Sequence, residues 1–535
     1  MAFITGGKHF GQYTYEHWYD HEYRNEDIEA EIKADGFPGE KLSDNEAGSM
    51  RLILKNFHIV DEEIDISGEI IIDNGIITSV QHGGCQVQLK TGDREEKNRP
   101  VIIIDGSCFP GLGELPVLMP AFVDLHAHFR DPGINEENQK LPKEAPLPSE
   151  TSLSPEMSLP SEVLESASLA AAAGGFGTVV CMANTKPPID TAKKAHCLKK
   201  HSDVLGLVDL YPVLSLTKNM EGRELSEITN LLGEVPDKTG VPYIPLMLSE
   251  DGKDPADDGI FLAAMMEAKR IGIPVSCHCD FGGDEYNAVR RVIELGKKAG
   301  CHIHIAHVST KKAVEYIRRI KAELYSEKNS AMQEDVSGLP VKAGGFALTC
   351  EAAPHHLCLT REDAEKLGAD SWGRVNPPLC STEDREALVL ALIDGTIDAI
   401  ATDHAPHCQK DKEKGAPGFS GFETAFAAVY TELIHAGTSG PDLSGISSSL
   451  LDLKRLSSLM SACPAEILGL NEGSRRRGRI LPGYRADLVI VDTKTSWIVD
   501  PQKFKSRGKN SPFAGRRLFG KILLTLRSGR LVFES

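Results

Sequence analysis

A chain of 535 residues, 41% hydrophobic and 25% charged, has room for a large enzymatic core with a smaller companion, and is neither fibrous nor mainly disordered. Its formal net charge of -18 repels nucleic acid phosphates and anionic membranes, which argues against both as general partners. Twelve cysteines without dense, even spacing read as reduced thiols of a cytoplasmic protein and not as a disulfide framework.

Residues 1–50 are polar, hold no sustained period, and lack the basic start and apolar run of a secretory signal; they read as an extension of unassigned role. From Arg51 the pattern changes to short β-like runs, RLILKNFHIV, then GEIIIDNGIITSV with an Asn-Gly turn, then VIIID. Residues 51–118 are therefore expected to form the first part of a small β domain. Between 119 and 476 short apolar runs alternate with helix-like segments such as EVLESASLAAAAGG and DREALVLALIDG. That alternation predicts an α/β fold, a (β/α)8 TIM-like barrel. Two polar stretches, near 135–162 and 325–340, interrupt the rhythm and read as surface insertions. Residues 477–535, with ADLVIVD and KILLTLRSGRLVFES, return to β patterning and are expected to complete a small β-sandwich built from both chain ends. No apolar run approaches the length that spans a bilayer.

The strongest chemical signal is PAFVDLHAHFRDPG, where His126, His128 and Arg130 occupy alternate positions at the end of an apolar run. Strand side chains alternate faces, so these three are expected on one side, in the lumen at the catalytic end of the barrel. Two imidazoles from one strand suit zinc, although such a pair alone fits ordinary strand histidines equally well. Further ends of apolar runs carry Asp251 in IPLMLSEDG, His278 in SCHCDF, His307 in CHIHIAHVST and Asp403 in IDAIATDHAPH. Catalytic residues of a barrel come from the ends of several strands, which this distribution matches. By strand parity Cys277 and Cys279 face away from His278 and are assigned to packing. The same parity sets His302 and His304 opposite His307, as hydrogen-bonded histidines between the barrel and its helices. His355 and His356 in APHHLCLT are given an outer or structural role.

HAHFRDPG, AAAAGGFGTVVCMANTKPP, HIHIAHVST, EAAPHHLCLT, RVNPPLCSTEDR, GTIDAIATDHAPH and NSPFAG, in this order, resemble the dihydroorotases of the amidohydrolase superfamily across roughly residues 51–535. The resemblance implies reversible hydrolysis of dihydroorotate to N-carbamoyl-L-aspartate by metal-bound hydroxide, in the synthesis of UMP. It implies one or two Zn2+ ions, with His126 and His128 binding one metal, His278 and His307 a second position, and Asp403 as both ligand and proton carrier. It also implies that Arg130, Asn184 and His407 hold the substrate's carboxylate and that Asn376 contacts the substrate. Related hydantoinases, allantoinases and some dihydroorotases bridge their metals with a carboxylated lysine; the run before Asp251 has none and resembles the branch with aspartate there, which makes Asp251 the expected bridging or additional ligand. Residue 250 is Glu where that branch often has Asp, and residue 380 is Cys where Arg is common. A homo-oligomer and aspartate transcarbamoylase are the candidate partners. The competing readings are a hydantoinase-like or allantoinase-like enzyme, which would leave Arg130 unpaired, and a catalytically silent homologue, which would have lost ligands.

Overall fold

The computed structural model describes residues 51–83, 100–109, 114–130, 162–231, 243–280, 283–334, 345–435 and 451–535. The extension at 1–50 and all of the stretch 135–162 except Glu162 lie outside these residues.

The chain enters through β1 (Arg51–Val60), β2 (Asp65–Asp73), β3 (Ile76–His82), β4 (Val101–Asp105) and β5 (Val117–Pro120). β1, β2 and β3 form an antiparallel meander. The two residues between β2 and β3 are Asn74 and Gly75, at φ of 53° and 76°. Both values are the left-handed ones that a two-residue hairpin of this hand needs, and Asn-Gly is the dipeptide that adopts them at least cost. β1 is shared: Arg51–Lys55 pairs in parallel with β4, while His58 and Ile59 pair with β5.

The barrel strands follow as β6 (Phe122–Ala127), β7 (Phe176–Cys181), β8 (Asp209–Pro212), β9 (Leu248–Ser249), β10 (Val275–Cys277), β11 (His302–Ile305), β12 (Ala347–Ala352) and β13 (Ala399–Ile400). β6 to β8 form one parallel arc of three strands and β9 to β13 another of five. Two single parallel bridges, Leu214 to Leu248 and Ala127 to His404, join the arcs into a ring of eight. These strands are apolar and buried because one face fills the lumen and the other meets helices. The helices begin where the sequence supplies acceptors for orphan N–H groups: Thr191 caps Ala192–Leu205, Asp257 caps Asp258–Ile271, and Ser381 with Asp384 forms a capping box on Thr382–Ile393. The helix after β11 runs from Lys311 to Glu334, so the first half of the polar stretch near 325–340 is helical. Its Lys, Glu, Ala, Met and Gln are good helix formers, which a reading weighted towards polarity passes over. Among the described residues no helix is long and apolar enough to cross a membrane.

The chain then returns through β14 (Leu488–Asp492), β15 (Trp497–Ile498), β16 (Arg517–Leu518), β17 (Lys521–Arg527) and β18 (Arg530–Glu534). β14 pairs antiparallel with β5 and β17, which puts both ends of the described chain into one eight-stranded sheet with the order β18-β17-β14-β5-β1-β2-β3 and β4 beside β1. This sheet has its own core, in which Leu54, Phe57, Ile59, Ile70 and Ile77 meet Leu488, Ile490 and Leu526.

A buried ionic knot ties the returning segment to the start of β8. Asp209 takes Nη1 of Arg477 at 2.7 Å, Nη1 of Arg485 at 2.8 Å and Nζ of Lys199 at 3.1 Å. Burial alone would raise the Asp209 carboxyl, but Arg477, Lys199, Arg485 and Arg527 hold it well below the ordinary carboxylate range. Its stabilisation is therefore present above the unfolded-state pKa of about 3.9 and is lost as pH falls below that value. Asp209→Asn leaves the fully buried Arg477 guanidinium without this carboxylate. It should lower the free energy of unfolding in urea at neutral pH by about 3–5 kcal/mol. The same variant should also lose less stability than the parent between about pH 5 and pH 2. An unchanged denaturation midpoint would show that the knot contributes nothing.

Candidate metal centre and carboxylate pocket

All six expected ligands meet at the C-terminal mouth of the ring, each at or just beyond the end of its strand. His126 lies in β6, and His128 follows it; Asp251, His278, His307 and Asp403 sit one to three residues past β9, β10, β11 and β13. Arg130, His307 and Asp403 have φ of 62°, 29° and 45°, in the left-handed region that side chains other than glycine seldom occupy. The chain turns sharply there, and such positions persist only where surrounding structure holds them.

Asp251 is the hub. Its Oδ1 lies 3.2 Å from His126 Nε2 and 3.3 Å from His278 Nδ1, and its Oδ2 lies 3.5 Å from His128 Nε2. His307 Nε2 is 2.8 Å from His278 Nδ1. Asp403 Oδ1 is 3.4 Å from His128 Nε2 and 3.7 Å from His126 Nε2. Two ligand groups result, His126 with His128 and Asp251, and Asp251 with His278 and His307, in each of which the donor atoms lie within 4.8 Å of one another.

The donor set fits a divalent cation. Among the described residues His126 Nε2, Asp251 Oδ1 and His307 Nδ1 are buried without a hydrogen-bond partner, and unsatisfied buried polar atoms of this kind require an explanation. The far nitrogens are already engaged: His126 Nδ1 faces Glu351 Oε1 at 3.1 Å, and His128 Nδ1 faces Asn184 Oδ1 at 2.8 Å. An oxygen acceptor on one ring nitrogen fixes the tautomer that presents the other as a lone pair, the usual arrangement behind a metal-bound imidazole. Burial disfavours charge on His126, yet Asp251, Glu351 and Asp403 together lift its imidazole well above the ordinary histidine range. His307 goes the other way, pushed down to about 3 by burial and by His278 and His126. Burial would raise Asp403 as well, but His128, His126 and His307 keep its carboxyl below the ordinary value.

The expected substrate contacts lie at the same mouth. Arg130 Nη2 is 3.3 Å from His407 Nε2, which is 2.8 Å from the carbonyl of Pro417. Asn184 has both ends of its amide engaged, Oδ1 by His128 and Nδ2 by Asp251 Oδ2 at 2.8 Å, so in this structure it orients ligands. Asn376 Nδ2 donates to His278 Nε2 at 3.0 Å.

Glu250 turns away from the hub and accepts from the N–H groups of Leu216 and Thr217 at 2.8 and 3.0 Å. Cys277 and Cys279 are buried in the hydrophobic core. His355 Nε2 lies 3.9 Å from Asp403 Oδ2, while His356 Nε2 meets the carbonyl of Pro377 at 3.0 Å. Cys380 Sγ lies against the Pro378 carbonyl at 3.3 Å.

The placement of His302 and His304 departs from expectation. His304 Nε2 lies 3.0 Å from Glu351 Oε2, and Glu351 in turn holds His126, so His304 faces the lumen and not the helices. His302 Nε2 and His304 Nδ1 share Thr349 Oγ1 at 2.8 and 2.9 Å. Strand parity fails here because β11 ends at Ile305 and His307 has positive φ, so alternation does not carry across to it. Glu351 was hidden for a different reason: it stands in a familiar run, EAAPHHLCLT, but only its pairing across 225 residues with His126 gives it a role.

Residues 117–532 match the model of the amidohydrolase family. The sequence is 33% identical to a dihydroorotase from Clostridium botulinum (strain Eklund 17B / Type B), covering 91% of this chain and 100% of that one. It is likewise 33% identical to a dihydroorotase from Caldanaerobacter subterraneus subsp. tengcongensis, over 91% and 98%. Among solved structures the fold resembles the L-hydantoinase (dihydropyrimidinase) of Arthrobacter aurescens, with a TM-score of 0.64, 23% identity, and coverage of 90% and 96%.

If Asp251 is the shared ligand, Asp251→Ala should lower the affinity for zinc by about tenfold or more, as measured by metal per chain against a competing chelator. Glu250→Ala should leave metal per chain unchanged and cost about 1–3 kcal/mol of stability, since it strands two buried N–H groups. Full occupancy in Asp251→Ala would defeat the assignment.

Proposed function

The chain belongs to the amidohydrolase family, and from that premise we propose that it is a dihydroorotase, which opens and closes the ring of dihydroorotate through a metal centre at the barrel mouth. The observation that carries this reading is the pairing of a complete ligand hub with a guanidinium, Arg130, beside His407 at the same mouth. A cyclic amide without a carboxylate would leave that guanidinium without its counter-charge, whereas dihydroorotate brings one. The extent of likeness to proteins named dihydroorotase supports the same conclusion.

His126, His128, Asp251, His278, His307 and Asp403 are the residues that would hold one or two zinc ions. Zinc in such a site supplies Lewis acidity, which lowers the pKa of water towards 7 and polarises a carbonyl. Arg130 receives the substrate carboxylate with two parallel hydrogen bonds, and His407 closes the same end of the pocket. With the carboxylate fixed, the scissile amide is held over the ligand hub, which removes orientational freedom before reaction. Asn376, beside His278, contacts the ring, and Asn184 keeps His128 and Asp251 in register. Asp403 enters as a carboxylate, accepts the proton of the attacking water and returns it to the departing ring nitrogen. Ring opening consumes water, creates a second carboxylate and releases a proton, so acid favours closure. Closure is the biosynthetic direction, towards UMP in the cytoplasm, with a homo-oligomer and aspartate transcarbamoylase as the assemblies to examine.

Arg130→Met should keep its metal and lose about 2–5 kcal/mol in kcat/KM with dihydroorotate, the cost of stranding a charge partner. Asp403→Asn should reduce kcat by about 10²–10⁴ in a folded protein. Wild-type rates in either variant would remove that residue from the mechanism, and absence of dihydroorotate turnover by the metal-loaded parent would overturn the functional reading.

A further inference from the structure

Lys412 is a buried cation that the chemistry above does not use. It is 0% exposed, and among the described residues no carboxylate pairs with it. Instead Nζ donates to the carbonyls of Arg374, Ala416 and Gly418 at 2.9, 2.9 and 3.0 Å, and it lies 5.1 Å from the centre of the Phe419 ring. An ammonium has three donors, and burying it without a counter-ion is tolerable only when all three find acceptors, as they do here. Burial pushes the ammonium down to about 8, so it remains mainly protonated at neutral pH.

Two of those carbonyls flank Pro417, and the carbonyl between them is the one that meets His407 Nε2 at 2.8 Å. Asn510 grips the same loop from the returning segment: its Nδ2 donates to the Gly418 carbonyl at 2.9 Å, and its Oδ1 accepts the His407 N–H at 3.2 Å. The loop has no slack, because a Cβ on Gly418 would stand 2.6 Å from the Ala405 Cβ and 3.3 Å from His407 Nε2. His407 Nε2 is also 3.3 Å from Arg130 Nη2. A carbonyl only accepts and a guanidinium only donates, so a single ring nitrogen cannot satisfy both. Once Nε2 carries its hydrogen towards Pro417, the Arg130 N–H needs another acceptor, and a carboxylate is the acceptor that suits a guanidinium best.

We propose that Lys412 is a positioning residue for the substrate's carboxylate: by holding the Ala416 and Gly418 carbonyls it sets Pro417 to take the His407 Nε2–H, and so turns Arg130 towards the carboxylate. This inference rests on the dihydroorotase reading. Lys412 touches neither the hub nor the proton carrier, so its effect falls on binding and not on turnover.

The test is Lys412→Met, which keeps the length and loses every donor, assayed as metal-loaded protein with dihydroorotate. KM should rise by about tenfold or more while kcat stays within about threefold and metal per chain is unchanged. Unchanged KM, or a loss confined to kcat, overturns the proposal. Should Lys412→Met fail to fold, Asn510→Ala releases the same Gly418 carbonyl and His407 N–H and must show the same rise in KM; an unchanged KM there overturns the proposal equally. The parent separates the two readings: no turnover of dihydroorotate by wild type defeats the function, whereas normal wild-type turnover beside an unaffected Lys412→Met defeats only the role of Lys412.

Discussion

Everything at the barrel mouth depends on one carboxylate kept out of water. Asp251 is 4% exposed and touches three imidazoles, and a lone anion so deeply buried would protonate unless positive charge stood beside it. The histidines supply that charge when they hold protons, and a divalent cation supplies it better. The same need organises the next layer outwards: Glu351 backs His126 and is itself held by His304, while Asn184 spans His128 and Asp251.

The Arg130 edge of the mouth obeys a related constraint with the signs reversed. Arg130, with the buried Lys412 ammonium behind the Pro417 loop, places positive charge at one edge of the mouth, in a chain whose net charge is -18. A small anion approaching this protein is repelled by its surface at large and attracted at that edge, so local placement and not overall charge decides what enters. Lys412 and Asn510 make that placement stiff by fixing carbonyls and not by touching the ligand.

The fold and the six residues that gather at the mouth were legible because each is a local pattern: an apolar run ending in His or Asp, an Asn-Gly between alternating runs, a Ser or Asp ahead of a helix. Asp251 could be told from Glu250 by its place in the run, and the structure separates them as that reading expects. What was not legible is whatever depends on register between distant strands. Glu351 reaches His126 across 225 residues, and His407 reaches Asn510 across 103. His304 was misplaced because parity was carried past the end of β11 into a residue with positive φ, where it no longer holds. Lys412, a lysine amid the charged neighbours of DKEK, reads as a solvated face until its three acceptors are seen.

The two bridges that close the ring have a mechanical meaning. One arc carries His126 and His128, the other Asp251, His278 and His307, and the arcs touch in the wall through Leu214 with Leu248 and Ala127 with His404. Any ion gripped jointly by His126, His128 and Asp251 is therefore a rivet across a seam as well as a reagent. Its binding energy is shared with the joint, and by mass action the wall is sealed in proportion to RT ln(1 + [ion]/Kd). In such a barrel an ion held at that place adds its binding energy to the joint between the arcs as well as to the site.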